Sequence, residues 1–365
     1  MQVKSLSELI KNIPFYTYNE NKLGYTDLIR ENGFRTIGSD ARVYINEREV
    51  TSPFYGNGLG VVSKFDLTYI DHIEIYTGVT SFEFGIEPAS MVVRLYTKDP
   101  HREIGGQLKT AYGTNKSNET SISYSDILDD FSYYAYLNTK ETNEDKVNQA
   151  SRDKKSKHVF LSLQNDTNRI EFNRIEVKTD LFMDGIGGGD GFTNENKTEA
   201  NYNLLGWYST YFDEKLSLSL DYISDKSTTE QSDDTPLGSK SISNTVLTSL
   251  GVPSILLDSS DTKTDVFYDS YLVKQKEKQI SAVLKYKESI GNHDLLGGLQ
   301  YRKKDWKFTE IKANTVGTNV FNPFIGNYTF INVPLGEFNI DSSAVPNLFE
   351  FTSEKMHSVF LEDTY

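Results

Sequence analysis

The side chains that could act as nucleophiles, general bases or metal ligands are few in this sequence and stand far apart. Cysteine is absent, which excludes a disulfide framework, a thiolate metal site and a cysteine nucleophile. The sequence contains no Gly-x-Ser-x-Gly, no phosphate-binding loop and no His-Glu-x-x-His motif. The histidines are scattered: His72, His101, His158, His293 and His357. The sequence therefore predicts a protein that is not an enzyme and that carries no cofactor.

Two segments contain residue types that suit a metal ion. His72 and Glu74 are two positions apart, which places them on the same face of a strand; an ordinary surface pair is the alternative to a metal site. Between Asp180 and Glu199, several Asp, Asn and Gly residues offer oxygen ligands for calcium, but their spacing differs from that of an EF-hand loop. A flexible loop is the alternative there. We predict no metal site.

Charge and composition narrow the class of protein. The chain has 365 residues and a net charge of -14, which argues against nucleic acid as a partner. Its 23 Tyr and 21 Phe against only 9 Pro are typical of strands that end at a membrane interface. No apolar run reaches the roughly 18 residues of a transmembrane helix. Because the start lacks a signal-peptide pattern and the chain stops inside a strand pattern at Tyr365, we expect a fragment of a longer protein.

The first hundred residues read as a small domain with a helix and several strands. Ser5–Pro14 predicts a short helix with Ser5 as its cap, and Arg42–Ile45 predicts a strand that ends in a turn at Asn46 and Glu47. Two β-branched runs, Ile70–Tyr76 and Met91–Thr97, flank a turn-rich stretch. The expected fold of residues 1–100 is therefore α+β.

Residues 101–365 read as a series of amphipathic strands. In residues 131–139, for example, apolar and polar side chains alternate, as in a strand with one face in lipid. We expect ten strands, at 104–114, 118–126, 130–141, 156–165, 168–180, 200–212, 215–225, 265–289, 294–310 and 355–365. The connections alternate between short turns (127–129, 166–167, 213–214, 291–293) and outer loops that are mostly long (115–117, 142–155, 181–199, 226–264, 311–354). That asymmetry is typical of an outer-membrane barrel.

Segments of the first domain, in order, resemble the plug domain of the TonB-dependent outer-membrane receptors. Leu6–Phe15 resembles the family's L-x-D-L-L-x-x-V-P-G, Phe34–Ser39 its I-R-G-x-G-S, Arg42–Val50 its R-V-L-V-L-I-D-G-V-P-V, Leu67–Gly85 its L-x-x-I-E-R-I-E-V-L-R-G-P-x-S-x-L-Y-G, and Met91–Lys98 its G-V-I-N-I-I-T-K. The resemblance implies an α+β plug domain (1–100) followed by an antiparallel transmembrane β-barrel segment (101–365). The barrel segment would hold about 10 of an expected 22 strands, with the remainder following Tyr365.

The resemblance also implies a function and its residues. Receptors of this family capture a scarce nutrient, by default a ferric siderophore or other iron chelate, outside the outer membrane of a Gram-negative bacterium and import it by an energy-coupled rearrangement of the plug. The implied partners are outer-membrane lipid and lipopolysaccharide, the TonB energy-coupling complex and the small-molecule ligand. Of the two family arginines that lock plug to barrel, Arg35 matches one and Thr77 replaces the other. The expected ligand-binding aromatics, at the outward plug apices, are Tyr16, Tyr18, Tyr25, Phe54, Tyr55, Phe82 and Phe84, although each could instead pack the plug against the barrel wall.

Two other classes of protein remain open from the residues. One is a passive porin or adhesin β-barrel, against which residues 1–99 speak because a porin begins directly with strands. The other is a soluble, Tyr-rich β-sandwich that binds a ligand. A soluble protein would carry charge on the outward face of its strands, whereas Leu216, Leu218 and Leu220 are apolar.

Overall fold

The computed structural model describes residues 5–10, 12, 16–20, 26–30, 35–36, 41–52, 66–77, 81–85, 89, 91–143, 153–180, 197–249, 254, 257, 262–322, 326–340, 350 and 352–365. Strands dominate this part of the chain. None of the helices within it has the length and apolar character needed to cross a membrane.

The described residues among the first hundred form one short α-helix, one 3-10 turn at Phe82–Phe84 and two small sheets. Helix α1 spans Leu6–Ile10, and strands β1 (Tyr16–Glu20), β2 (Thr26–Arg30) and β3 (Arg35–Thr36) form a three-stranded antiparallel sheet. Strands β4 (Ala41–Ile45), β5 (Arg48–Val50), β6 (Ile70–Thr77) and β7 (Met91–Thr97) form a second sheet in the order β5-β4-β7-β6, in which β4 and β7 are parallel. We call this second sheet the small sheet.

The strands and the helix cap predicted in this region lie where the sequence placed them. The predicted strands at 42–45, 70–76 and 91–97 are present, and the Ser5 hydroxyl accepts a hydrogen bond from the Glu8 amide at 3.3 Å, as a helix cap does. Helix α1 is shorter than the predicted 5–14. The turn between β4 and β5 places Asn46 in the left-handed region, with φ of 53°, a conformation that Asn tolerates well.

The remaining described residues form one large antiparallel sheet of eleven strands, with one further helix. Its strands are β8 (Gly105–Tyr112), β9 (Asn118–Leu128), β10 (Phe131–Thr142), β11 (Lys154–Gln164), β12 (Asn168–Asp180), β13 (Lys197–Tyr211), β14 (Leu216–Ser243), β15 (Lys263–Ile290), β16 (His293–Asn322), β17 (Asn327–Asn339) and β18 (Thr352–Thr364), and helix α2 is Asn244–Ser249. Each strand from β8 to β17 pairs with its neighbours in sequence, and β18 pairs with β16. Strand β16 therefore forks: its first half pairs with β18 and its second half with β17.

Ten of these strands were expected, and the eleventh corrects the prediction. Strand β17 lies within 311–354, which we expected to be an outer connection. Strand β14 also continues to Ser243, so much of the expected loop 226–264 is strand, pairing with β15 across two register shifts. The single long strand predicted at 265–289 is confirmed as β15, and the short connections lie within two residues of their predicted places.

The outward face of the large sheet carries continuous apolar rows. Residues directly opposite each other in a ladder share a face, and the register aligns one row across seven strands: Tyr124, Ala135, Leu161, Phe172, Leu205, Tyr222 and Ile280. A second row, nearer the short turns, is formed by Leu218, Leu284, Leu299 and Val359. Leu299 is 52% exposed and Val359 is 80% exposed. A large contiguous apolar surface of this kind marks contact with a membrane or a partner.

The main hydrophobic core lies between the small sheet and the inward face of the large sheet. Fully buried side chains of the small sheet, such as Val43, Val93 and Leu95, cluster with Tyr202 and Leu204 of β13. The large sheet is thus apolar outward near the short turns and also partly apolar inward where the small sheet covers it.

Candidate functional site

The β4–β5 hairpin makes the principal polar contact between the small sheet and the large sheet. Arg48, the first residue of β5, is completely buried, and its Nη1 donates a hydrogen bond to the Glu171 carboxylate on β12. Its Nε lies 3.2 Å from Asp221 Oδ1 on β14, an ion pair rather than a well-aligned hydrogen bond. Asn46 Nδ2 donates to Glu171 Oε1 at 2.6 Å. A buried cation is thus held between two buried carboxylates, as burial of charge requires.

The large sheet provides a gap that fits this arginine. Glu171, Gly206 and Asp221 are directly opposite one another on β12, β13 and β14. A Cβ at Gly206 would overlap Arg48 Nε and Cδ and would lie 2.7 Å from Asp221 Oδ1. The glycine between two acids therefore forms a cradle for the guanidinium group. We call Glu171, Gly206 and Asp221 the arginine cradle.

Other ion pairs between the hairpin and the large sheet have the arginine on the large sheet and the glutamate on the hairpin. Arg169 of β12 forms an ion pair with Glu47, and Arg302 of β16 lies 3.5 Å from Glu49 Oε2. Further from the short turns, Ser52 Oγ donates to Glu277 Oε2 at 2.8 Å. Each sheet thus carries both acids and bases at the contact, which fixes one orientation of the hairpin more firmly than a single charged pair would.

An aromatic cluster holds the other side of the small sheet. Tyr69 is fully buried against the large sheet, stacked on Tyr136 with ring centroids 5.5 Å apart. It also meets the His158 ring edge-to-face at 4.6 Å and the Phe160 ring at 4.9 Å. Its hydroxyl accepts a hydrogen bond from Asn173 Nδ2 at 3.5 Å, and burial raises the pKa of Tyr69. Aromatic burial and buried ion pairs together anchor the small sheet.

The segment 81–85 corrects the expected place of two candidate ligand-binding residues. Phe82 packs against Phe360 of β18, with ring centroids 5.9 Å apart, and its backbone amide donates to Glu362 Oε2 at 2.8 Å. Phe84 is buried beside Tyr44, whose hydroxyl donates to the Phe84 carbonyl. These contacts lie near the short turns of the large sheet, opposite the long connections. Phe82 and Phe84 therefore do not lie at the outward end at which we expected them.

Glu83, between those two phenylalanines, joins the segment to β15. Lys287 Nζ donates to Glu83 Oε1 at 2.9 Å, and Lys285 Nζ donates to the Glu83 carbonyl at 2.5 Å. Burial alone would raise the pKa of Glu83, but the hydrogen bond and charge of Lys287 hold that pKa below its ordinary value. The contact consequently persists at a pH lower than an isolated glutamate would allow.

The remaining sequence-predicted residues are not brought together by the described structure. Tyr16 and Tyr18 lie in β1 and Arg35 in β3, where only the strand backbone is described, while Tyr25, Phe54 and Tyr55 lie outside the described residues. Thr77 ends β6 and is exposed. Their roles stay predictions. His72 stacks on Tyr96 at 4.3 Å and pairs with Asp71 at 2.8 Å, as an ordinary surface residue would.

A cavity of about 270 Å³ lies beside the arginine cradle, on the side of the short turns. It is bounded by the small sheet and by β14, β15, β16 and β18. Its lining carries both signs of charge, including Glu47, Glu83, Arg94, Asp221, Lys285 and Arg302. A cavity with such walls suits water or a charged solute better than an apolar ligand.

The arginine cradle was missed at the level of sequence. The signal was present in part: the family's Asp-Gly turn is replaced by N-E-R-E, and Glu171 and Asp221 are acids at inward strand positions. The sequence pattern does not show that Arg48 pairs with Glu171, because the two residues are 123 positions apart. The described residues thus place a buried ionic contact on Arg48, whereas the resemblance had directed attention to Arg35.

The arrangement of the two sheets resembles that in several solved structures. No family model and no curated protein matches the sequence, but solved structures match the fold. The fold is that of solved TonB-dependent outer-membrane receptors, which is the fold that the sequence motifs predicted.

Three of the matching structures show the extent of the likeness. The pyoverdine outer-membrane receptor FpvA from Pseudomonas aeruginosa matches with a TM-score of 0.56 and 10% identity, over 99% of this chain and 51% of that one. The copper transporter OprC matches with a TM-score of 0.56 and 9% identity, over 100% and 50%. The FrpB iron transporter from Neisseria meningitidis matches with a TM-score of 0.55 and 11% identity, over 93% and 58%. The chain spans about half the length of the solved structures that it matches.

Proposed function

We propose that residues 1–100 are the plug and residues 101–365 the first part of the barrel of a TonB-dependent receptor in the outer membrane of a Gram-negative bacterium. The complete receptor binds a scarce nutrient outside and imports it to the periplasm when the energy-coupling complex pulls on the plug. The observation that carries the proposal is the buried contact of the small sheet, through Arg48, with the inward face of a sheet whose outward face is apolar.

The outward apolar rows support the membrane part of the proposal. A soluble β-sandwich would expose charge at these positions, and a porin would not seat a separate α+β unit on its inward face. Between the second apolar row and the short turns lie aromatic side chains, among them Tyr211, Phe212 and Tyr286. Aromatic residues at the edge of an apolar band are expected at a membrane interface.

Changing an outward residue to arginine tests where lipid contacts the sheet. Leu220→Arg in β14 is expected to lower the stability of the folded barrel in lipid vesicles by about 2–4 kcal/mol, because a charge is then forced into hydrocarbon. Thr228→Arg, on the same face of the same strand but eight residues further from the short turn, is the matched control and should cost less than about 1 kcal/mol. Denaturant titration of the intact protein in vesicles measures both. Equal effects at the two positions would argue against a lipid-facing Leu220.

An iron chelate is the proposed ligand. The support is that the similar solved structures include iron and ferric siderophore receptors, although a copper transporter is among them. The proposed site residues are those that the resemblance assigns to the outward plug apices, Tyr16, Tyr18, Tyr25, Phe54 and Tyr55. The charged cavity near the short turns would belong to the exit side of the same path.

Uptake by cells tests the function. A strain that lacks the gene is expected to grow poorly under iron limitation and to accumulate little radioactive iron from a panel of ferric chelates, and the intact gene should restore both. Dissipating the proton gradient should abolish the restored uptake, since energy coupling distinguishes a receptor from a passive pore. Restored uptake that survives dissipation would favour a porin. Unchanged iron accumulation in the deletion strain would overturn the iron assignment.

A further inference from the structure

Lys285, in the wall of the charged cavity, has no carboxylate partner among the described residues. It is partly buried on the inward face of β15, and its Nζ donates to the backbone carbonyl of Glu83 rather than to an acid. Two acids, Glu83 and Glu47, are near enough for their charge to act on it. The Glu83 carboxylate is already paired with Lys287 at 2.9 Å. The Glu47 carboxylate is already paired with Arg169. Because an ammonium group withdrawn from water is costly without a counter-ion, Lys285 favours an anion in the cavity.

The two arginines of the lining are compensated within the protein. Arg302 Nη1 lies 3.5 Å from Glu49 Oε2. Arg94 Nε donates to the Asn46 carbonyl at 2.9 Å, and its Nη2 lies 3.5 Å from Glu47 Oε1. Lys285 is therefore the positive charge of the lining that is left for a solute.

A second hydrogen-bond donor stands next to this ammonium group. Gln300 of β16 is 8% exposed and lies directly opposite Val283, the inward residue two positions before Lys285. Within the described part of the chain, its side-chain amide has no hydrogen-bond partner. Both side chains point to the same place: Lys285 Nζ contacts the Glu83 carbonyl, and Gln300 Oε1 would lie 3.9 Å from a Cβ at Gly85. Donors at diagonal positions of neighbouring strands can be bridged by the two oxygens of one carboxylate.

An apolar surface lies beside the two donors. Gly298 is directly opposite Lys285, and a Cβ at Gly298 would lie 2.4 Å from Phe360 Cζ, so the phenyl ring fills the space over this glycine. Phe84, which is buried, and Val283 also line the cavity. A solute that fits these walls has an anionic head and a compact apolar body, within a volume of about 270 Å³.

We propose that the cavity binds a small organic monocarboxylate, with its oxygens on Lys285 Nζ and Gln300 Nε2 and its body against Phe360. The solute can enter from the side of the short turns, where the lining residues Glu214 and Lys287 are exposed. Inorganic phosphate is disfavoured, because its second negative charge would have no further uncompensated cation in the lining. The inference goes beyond the proposed function, since it uses none of the residues proposed for the iron chelate.

Calorimetric titration of the purified intact protein with benzoate, in neutral detergent, tests the site. Benzoate is expected to bind, and its neutral isostere benzamide should bind at least about tenfold more weakly, since it cannot form the charge-assisted hydrogen bond. Lys285→Gln should weaken benzoate binding by a similar factor. Gln300→Leu should weaken it about threefold, because one neutral hydrogen bond is lost.

Lys215→Gln is the matched control, because Lys215 is paired with Glu288 at 2.8 Å and lies outside the cavity lining. It should bind benzoate like the native protein. A dissociation constant of the native protein for benzoate above about 10 mM would overturn the site. Equal affinity for benzoate and benzamide, a comparison that needs no variant, would overturn it as well.

Two further measurements complete the test. Phosphate binding as tight as benzoate binding would overturn the carboxylate assignment and give the cavity to inorganic anions. Thermal unfolding shows whether the Lys285→Gln and Gln300→Leu variants are folded. The titration does not depend on iron uptake, so this proposal and the proposed function can each fail alone.

Discussion

Replacing Arg48 with alanine is expected to loosen the small sheet from the large sheet and to cost about 3–5 kcal/mol of stability. The change leaves the carboxylates of Glu171 and Asp221 buried without their cation, and both are at most 7% exposed. An unpaired charge in that position is far more costly than the loss of a surface ion pair. Calorimetry of the intact protein in detergent measures the loss. Limited proteolysis should show faster cleavage within residues 1–100.

Arg174→Ala is the matched control for Arg48→Ala. Arg174 is also an arginine paired with a glutamate, Glu176, but both side chains are more than a third exposed. Its removal should cost less than about 1 kcal/mol and should leave proteolysis of the first hundred residues unchanged. If Arg48→Ala behaved like Arg174→Ala in both measurements, the arginine cradle would not hold the two sheets together.

Adding a single methyl group at Gly206 is expected to have an effect of similar kind. Gly206→Ala should cost about 1–3 kcal/mol, because the new Cβ overlaps the middle of a buried arginine side chain that is fixed on both sides. The test is a double-mutant cycle measured by thermal unfolding. With alanine at position 48 the overlap with the arginine is gone and only the contact with Asp221 Oδ1 at 2.7 Å remains, so Gly206→Ala should then cost much less.

Gly297→Ala supplies the control for Gly206→Ala. Gly297 lies in β16, and a Cβ there would meet only Leu361 Cδ1 at 3.7 Å and the Phe360 carbonyl at 3.8 Å, both ordinary contacts. The substitution should be neutral or slightly stabilising in either background. Additive costs of Arg48→Ala and Gly206→Ala would contradict the proposed fit of the arginine into the glycine gap.

The strands that lie within the apolar band could be predicted from sequence, and their extensions could not. In Leu216–Tyr222 the alternation of apolar and polar side chains reflects a sheet with different environments on its two faces. Beyond Ser227, β14 continues with T-T-E-Q-S-D-D-T-P, which has no such alternation. Its strand conformation is maintained by pairing with β15, a non-local contact. Strand β17, with Pro334 inside it, was missed for the same reason.

The residues that join the β4–β5 hairpin to the large sheet could be recognised individually in the sequence, but their pairing could not be predicted. That Glu171 faces inward follows from the alternation on β12, and that the β4–β5 turn is charged can be read directly. Which inward acid meets which residue of the hairpin depends on how the small sheet is rotated against the large one. That rotation is decided by packing, such as the contact of Tyr69 with Phe160, and not by a local pattern.

The arginine cradle also selects one register of the strands in the large sheet. Its members sit on three consecutive strands, so the gap exists only when β12, β13 and β14 are aligned as they are here. A slip of β13 by two residues would preserve its inward and outward faces. It would, however, bring Leu204 or Tyr208 in place of Gly206 and close the gap to Arg48. Several alignments of β13 would satisfy the hydrophobic pattern. Insertion of Arg48 stabilises only the one that places Gly206 between Glu171 and Asp221.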